Sequence, residues 1–79
     1  MEQKLSEFVK TYRTLNALTL HKFEKVCKIS YFTIWKIENK KLDKTLSPIV
    51  ARKLAKTFGL EPQDIMEMVK NDYGEKLHL

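Results

Sequence analysis

Two short segments with the apolar spacing of a helix, residues 20–27 and 31–39, are separated by only three residues. Thr19 and Ser30 precede the two segments, where each helix needs a capping side chain. A connection this short cannot lay two helices antiparallel, so the helices must cross steeply. Ile29, the apolar residue of the connection, is expected to be buried and to fix the crossing. The pattern predicts a helix-turn-helix.

Three further helices are predicted around this pair. In residues 4–15, apolar residues recur on one helical face and end at Leu15. Ser47 and Pro48 predict the start of a fourth helix, which Gly59 terminates. Pro62 begins a fifth helix. We place the end of the folded domain at residue 70, so that residues 71–79 form a C-terminal tail.

Composition excludes several classes of protein. Seventy-nine residues fit one domain, and 43% apolar with 32% charged residues is too apolar for a disordered chain. Two glycines and two prolines are too few for an all-β sandwich. No apolar run is long enough for a membrane span or a secretory signal, so we expect a cytoplasmic protein. The single cysteine, Cys27, excludes an internal disulfide and a cysteine-based zinc site.

Positive charge is concentrated in the middle of the chain. The net charge is +5 overall, +7 over residues 22–56 and −3 over residues 57–79. Such asymmetry favours a polyanionic partner, usually nucleic acid. The alternative is a lysine-rich surface that is merely well solvated.

A set of short matches carries a family resemblance. It comprises Tyr12-Arg13, Phe23, Ile29-Ser30, Ile34, Ile37-Glu38, Lys53-Leu54-Ala55-Lys56 and Phe58-Gly59-Leu60. In this order and spacing, residues 4–70 resemble the Cro/C1-type (lambda-repressor-like, Xre) family of helix-turn-helix transcription regulators. The resemblance implies an all-α domain of five short helices that binds double-stranded DNA with its third helix in the major groove.

The resemblance also assigns roles to individual residues. Arg13 and Glu38 would form an ion pair that orients the third helix. The residues expected at base edges are Tyr31, Phe32, Thr33 and Lys36, with Trp35 beside them. The residues expected at the DNA backbone are Thr19, Leu20, Lys22, Asn39, Lys40, Lys41 and Lys44.

The chain departs from the family pattern at four positions. Leu20 stands where the family often has glutamine, so only its backbone could touch phosphate. Lys40 stands at the usual glycine after the third helix, and Asn39 is expected to take the left-handed conformation instead. Glu24 and Lys28 replace a small alanine and a glycine.

No catalytic constellation is visible, so we expect neither an enzyme nor a cofactor, metal or small-molecule ligand. His21 and His78 lie far apart, and neither has a further ligand at metal-binding spacing. Cys27 falls in an apolar stripe and is expected to be an inert core thiol.

Two functions from different classes remain open. The first is a homodimeric repressor of phage, plasmid or mobile-element type that reads a palindromic operator. Its dimer interface is expected to use Ile65, Met66, Val69, Tyr73, Leu77 and Leu79. The second is a protein-interaction module, an antitoxin or adaptor, that binds a partner protein through Tyr31, Phe32 and Trp35. Binding to a membrane surface is disfavoured, because no helix combines a broad apolar face with flanking lysines.

Overall fold

The computed structural model describes residues 3–42 and 46–74. Within these two segments the chain forms five helices and no strand, which confirms the all-α class. The helices are α1 (Leu5–Leu15), α2 (Leu20–Cys27), α3 (Tyr31–Glu38), α4 (Pro48–Phe58) and α5 (Pro62–Tyr73). None of these helices has the length and apolar character needed to cross a bilayer.

Side-chain caps start three of the helices, α2, α3 and α4, where the sequence places them. The hydroxyl of Thr19 accepts from the Lys22 N–H at 3.1 Å, and that of Ser30 accepts from the Thr33 N–H at 3.2 Å. Ser47 accepts from the Val50 N–H at 3.2 Å in the same way. Each cap satisfies one of the N–H groups that the first turn of a helix leaves unpaired.

Left-handed residues end four of the helices, and three of them are not glycine. Gly59 ends α4 as predicted, with φ 71°. Ala17, Lys28 and Lys40 take φ values of 53°, 61° and 56° after α1, α2 and α3. The expectation for Asn39 was wrong, because its φ is −103°.

Backbone hydrogen bonds explain why Lys40 rather than Asn39 is left-handed. The Lys40 N–H donates to the Ile37 carbonyl and the Lys41 N–H donates to the Lys36 carbonyl, at 3.4 and 2.8 Å. This is the Schellman pairing, which requires the left-handed residue one position beyond the cap. The chain therefore places a lysine side chain where a glycine would be least strained.

One apolar core holds the helices together. Its buried members come from all five helices and both interhelical turns around α3: Leu5, Val9, Phe23, Cys27, Ile29, Ile34, Ile37, Leu46, Ala51, Leu54, Ala55, Ile65, Met68 and Val69. Leu15 is not among its neighbours and is 81% exposed, contrary to the predicted stripe. Leu18, which follows the left-handed Ala17, packs on the core at that end instead.

The last turn of α5 belongs to the folded domain, so the boundary predicted at residue 70 was wrong. The Asp72 carboxylate accepts from the backbone N–H and the hydroxyl of Ser6, at 2.8 and 2.6 Å. The Tyr73 hydroxyl accepts from the Leu42 N–H at 3.0 Å. These bonds tie α5 to the start of α1 and to the segment after α3.

Candidate functional site

The connection between α2 and α3 is compact and has a buried centre. Lys28 turns the chain with its left-handed backbone, Ile29 is buried, and Ser30 begins α3 as its cap. The Lys53 ammonium donates to the Lys28 carbonyl at 2.9 Å. A lysine of α4 thereby satisfies a carbonyl that the end of α2 would leave unpaired.

Glu24 supplies a contact across this connection that the sequence does not predict. Its carboxylate accepts from the Tyr31 N–H at 3.0 Å. A carboxylate at the start of a helix is stabilised by the unpaired N–H groups and by the helix dipole. Glu24 therefore fixes the start of α3 relative to α2, and the signal for it was an acid seven residues before a helix start.

Arg13 and Glu38 fix the other end of α3 against α1. The Arg13 Nε and Nη2 atoms donate to the two oxygens of Glu38, at 2.7 and 2.9 Å. Arg13 Nη1 also donates to the Leu18 carbonyl at 3.0 Å. The hydrogen bond to Glu38 raises the pKa of Arg13, because it favours the charged guanidinium. The expected pair is thus present, as a two-pronged fork.

Three aromatic side chains of α3 point away from the core. Tyr31, Phe32 and Trp35 are 44%, 57% and 40% exposed, and we call them the aromatic surface. The rings of Phe32 and Trp35 lie 6.0 Å apart with planes within 7° of parallel. The Tyr31 ring lies 4.4 Å from the ring of His21 on α2. Both helices therefore support one continuous exposed surface.

The polar side chains of α3 and of Asn39, which follows it, make mostly local contacts. The Thr33 hydroxyl lies 3.2 Å from that of Ser30, and the Asn39 amide donates to the Trp35 carbonyl at 2.9 Å. The Lys36 ammonium lies 5.1 Å from the centre of the Phe32 ring, a cation–π contact. Lys36 is half-buried, and its flexible stem leaves the ammonium free to reach beyond the ring.

Exposed lysines flank this surface on both sides. Lys22, Lys40 and Lys41 are exposed, and Lys44 lies outside the described residues. Between described residues, Arg13 and Glu38 form the only ion pair, so no carboxylate of the described segments lies within 4.0 Å of these three lysine ammonium groups. The positive charge at both ends of α3 is therefore available to an anion.

The start of α2 adds backbone donors to the same region. Thr19 caps the Lys22 N–H with its hydroxyl, and its carbonyl accepts from the Phe23 N–H at 2.9 Å. The N–H groups of Leu20 and His21 belong to the first turn, where a helix offers no carbonyl acceptor. Such groups suit a phosphate oxygen.

Two of the six residues expected at the dimer interface lie in the core instead. Ile65 and Val69 are fully buried in the core of the single chain, so their assignment to an interface was wrong. They face inward because α5 packs on α1 and α4 along that stripe. Met66 and Tyr73 are half-buried, whereas Leu77 and Leu79 lie outside the described residues.

No metal site is found in the described segments. They hold no group of three histidine, cysteine, aspartate or glutamate side chains that could bind an ion. Cys27 is buried, its Sγ donates to the Phe23 carbonyl at 3.1 Å, and burial raises the pKa of its thiol. A protonated thiol of this kind is a poor nucleophile.

Comparison with known proteins returned no matching family model, no matching curated protein and no matching solved structure.

Proposed function

We propose that this chain is a sequence-specific, double-stranded DNA-binding transcription regulator. Helices α2 and α3 form its helix-turn-helix within a lambda-repressor-like domain, and α3 enters the major groove. One observation carries the proposal. The exposed face of α3 is fixed at its start by Glu24 and at its end by Arg13, and exposed lysines lie beside both ends.

Phosphate contacts position such a domain on the duplex. The N–H groups of Leu20 and His21 and the ammonium of Lys22 would bind one phosphate group. Lys40 and Lys41, beyond the end of α3, would bind another, with Asn39 and Lys44 beside them. Thr19 takes part by holding the first turn of α2 in place.

Base contacts would come from α3 itself. Tyr31, Phe32 and Lys36 lie toward the exposed side, and Lys36 can donate to the O6 and N7 atoms of guanine. Thr33 is the weaker candidate, because it is half-buried and its hydroxyl lies against Ser30.

We further propose that the protein acts as a cytoplasmic homodimeric repressor of phage, plasmid or mobile-element type. One domain of this size makes few base contacts, and two domains on a palindromic site raise discrimination against competing sequences. Met66 and Tyr73 are the described residues proposed for the interface. Repression would follow from occupancy of the operator.

Selection from random double-stranded DNA at moderate salt tests the proposal. We expect a palindromic motif, bound with an affinity that falls by about 0.9 log unit per log unit of salt for each phosphate contact. Lys36→Ala should relax the base preference, whereas Lys41→Ala should weaken all DNA about equally. Binding without an enriched motif would refute sequence-specific recognition.

The aromatic surface supports a second candidate function. Exposed aromatic residues are typical anchors of protein interfaces, so an antitoxin or adaptor could bind its partner protein there. Binding of that kind would respond weakly to salt. A steep salt dependence with an enriched motif therefore favours the first candidate.

A further inference from the structure

The exposed face of α3 has an unusual ratio of apolar to hydrogen-bonding groups. Tyr31, Phe32 and Trp35 present three aromatic rings to solvent, while α3 contains no glutamine, asparagine or arginine. Asparagine and glutamine bind adenine, and arginine binds guanine, through two hydrogen bonds, so Lys36 is left as the side chain of α3 that suits a guanine. Hydrogen bonds alone would therefore give this helix little power to distinguish bases.

The rings are held in place before any ligand binds. Phe32 and Trp35 lie nearly parallel, Lys36 lies against the Phe32 ring, and Tyr31 lies against His21. Side chains that are already ordered lose little conformational entropy when they bind. The aromatic surface is therefore suited to contact a small apolar group at a fixed position.

The major groove displays one such group. Thymine carries a 5-methyl group there, whereas adenine, guanine and cytosine present donors and acceptors. Resting on the proposed function, we propose that Tyr31, Phe32 and Trp35 determine sequence specificity by packing on the 5-methyl groups of closely spaced thymines. Lys36, held beside Phe32, supplies the adjoining hydrogen bond to a guanine.

Replacement of thymine by deoxyuridine isolates this contact. The substitution removes the methyl group and leaves every hydrogen-bonding atom of the base pair unchanged. In a duplex obtained by selection, we expect each such replacement within the half-site to weaken binding about fourfold, the factor for one buried methyl group. Replacement outside the bound sequence should have no effect.

Variants of the protein assign the contact to residues. Phe32→Ala and Trp35→Ala remove exposed side chains and leave the core intact. Each variant should bind the thymine duplex more weakly. Each should also show a smaller difference in affinity between the thymine and the deoxyuridine duplex. Leu15→Ala removes an apolar side chain that is 81% exposed on α1, and it should retain the full difference.

The outcomes separate this inference from the proposed function. Sequence-specific binding that is indifferent to deoxyuridine would overturn the inference and leave the proposed function standing. A methyl dependence that persists in both Phe32→Ala and Trp35→Ala would overturn the assignment to the aromatic surface. If selection enriches no DNA motif, both the proposed function and this inference are refuted. The aromatic surface would then be assigned to protein binding.

Discussion

The Glu38 carboxylate is almost removed from water, and Arg13 replaces the lost solvation. The two side chains are 6% and 18% exposed, and each uses its planar geometry to make two parallel hydrogen bonds. Desolvation offsets much of the attraction in such a pair. Its main consequence is geometric, because it fixes the end of α3 against α1.

Removal of one partner should therefore lower the free energy of unfolding more than removal of both partners. We expect Arg13→Ala to lower the free energy of unfolding by about 2–3 kcal/mol, because Glu38 is left buried without a partner. The double variant Arg13→Met with Glu38→Leu should recover most of that loss. Urea denaturation followed by circular dichroism measures both.

Lys10→Ala provides the control for these variants, since Lys10 is exposed on the same helix. Its effect should stay within about 0.5 kcal/mol. Equal losses in the single and double variants would contradict the view that the pair mainly orients α3.

Glu24 makes a contact that the sequence alone does not predict. Its position in the sequence of α2 assigns it no partner. Only the three-dimensional turn brings its carboxylate to the Tyr31 N–H. The acid at this position then stabilises the start of α3.

At the scale of the helices, strain is concentrated where α1, α2 and α3 end. Ala17, Lys28 and Lys40 have left-handed backbones, although a Cβ atom disfavours that conformation. The backbone hydrogen bonds at each helix end hold them there, and Ile29, which follows Lys28, is buried in the core. Only α4 uses glycine among the helices with this kind of ending.

Glycine at one of these positions should stabilise the protein. We expect Lys28→Gly to raise the free energy of unfolding by about 0.5–1 kcal/mol, because the left-handed backbone no longer carries a Cβ atom. The Lys28 carbonyl, which accepts from Lys53, is retained. Equilibrium denaturation measures the change.

Lys25→Gly is the matched control, since it removes the same side chain from an exposed position within α2. It should lower stability by about 1 kcal/mol. If Lys28→Gly lowered stability as Lys25→Gly does, the claim that the Lys28 backbone is strained would be contradicted.

At the scale of the whole molecule, the two ends of the described chain close on each other. Asp72 caps the first turn of α1 through Ser6, and the Asn71 amide donates to the Gln3 carbonyl at 2.7 Å. These contacts join residues more than 60 positions apart. They couple α1 and α5 into one unit with the core. Cys27 is buried in the same core on α2, which packs on α3 and α4, so exposure of its thiol should require most of the fold to open.

The thiol of Cys27 should therefore report global unfolding. Burial raises its pKa, so the folded protein keeps it protonated near pH 8, where an unfolded cysteine is partly ionised. We expect alkylation by iodoacetamide at pH 8 to be much slower in buffer than in 6 M guanidinium (roughly the condition for full unfolding). Mass spectrometry measures the rate, and comparable rates in both conditions would refute the buried, inert thiol.

The sequence by itself determined the helices and their starts, because caps, prolines and apolar spacing act within a few residues of each other. It also indicated that α2 and α3 cross steeply, since three connecting residues allow few other arrangements of two helices. Tertiary structure decided what depends on distant residues. It assigned Leu15 to the surface, Ile65 and Val69 to the core, and the end of α5 to the folded domain. Local spacing shows that a side chain lies on a helix face, but only the packed neighbours determine whether that face meets water.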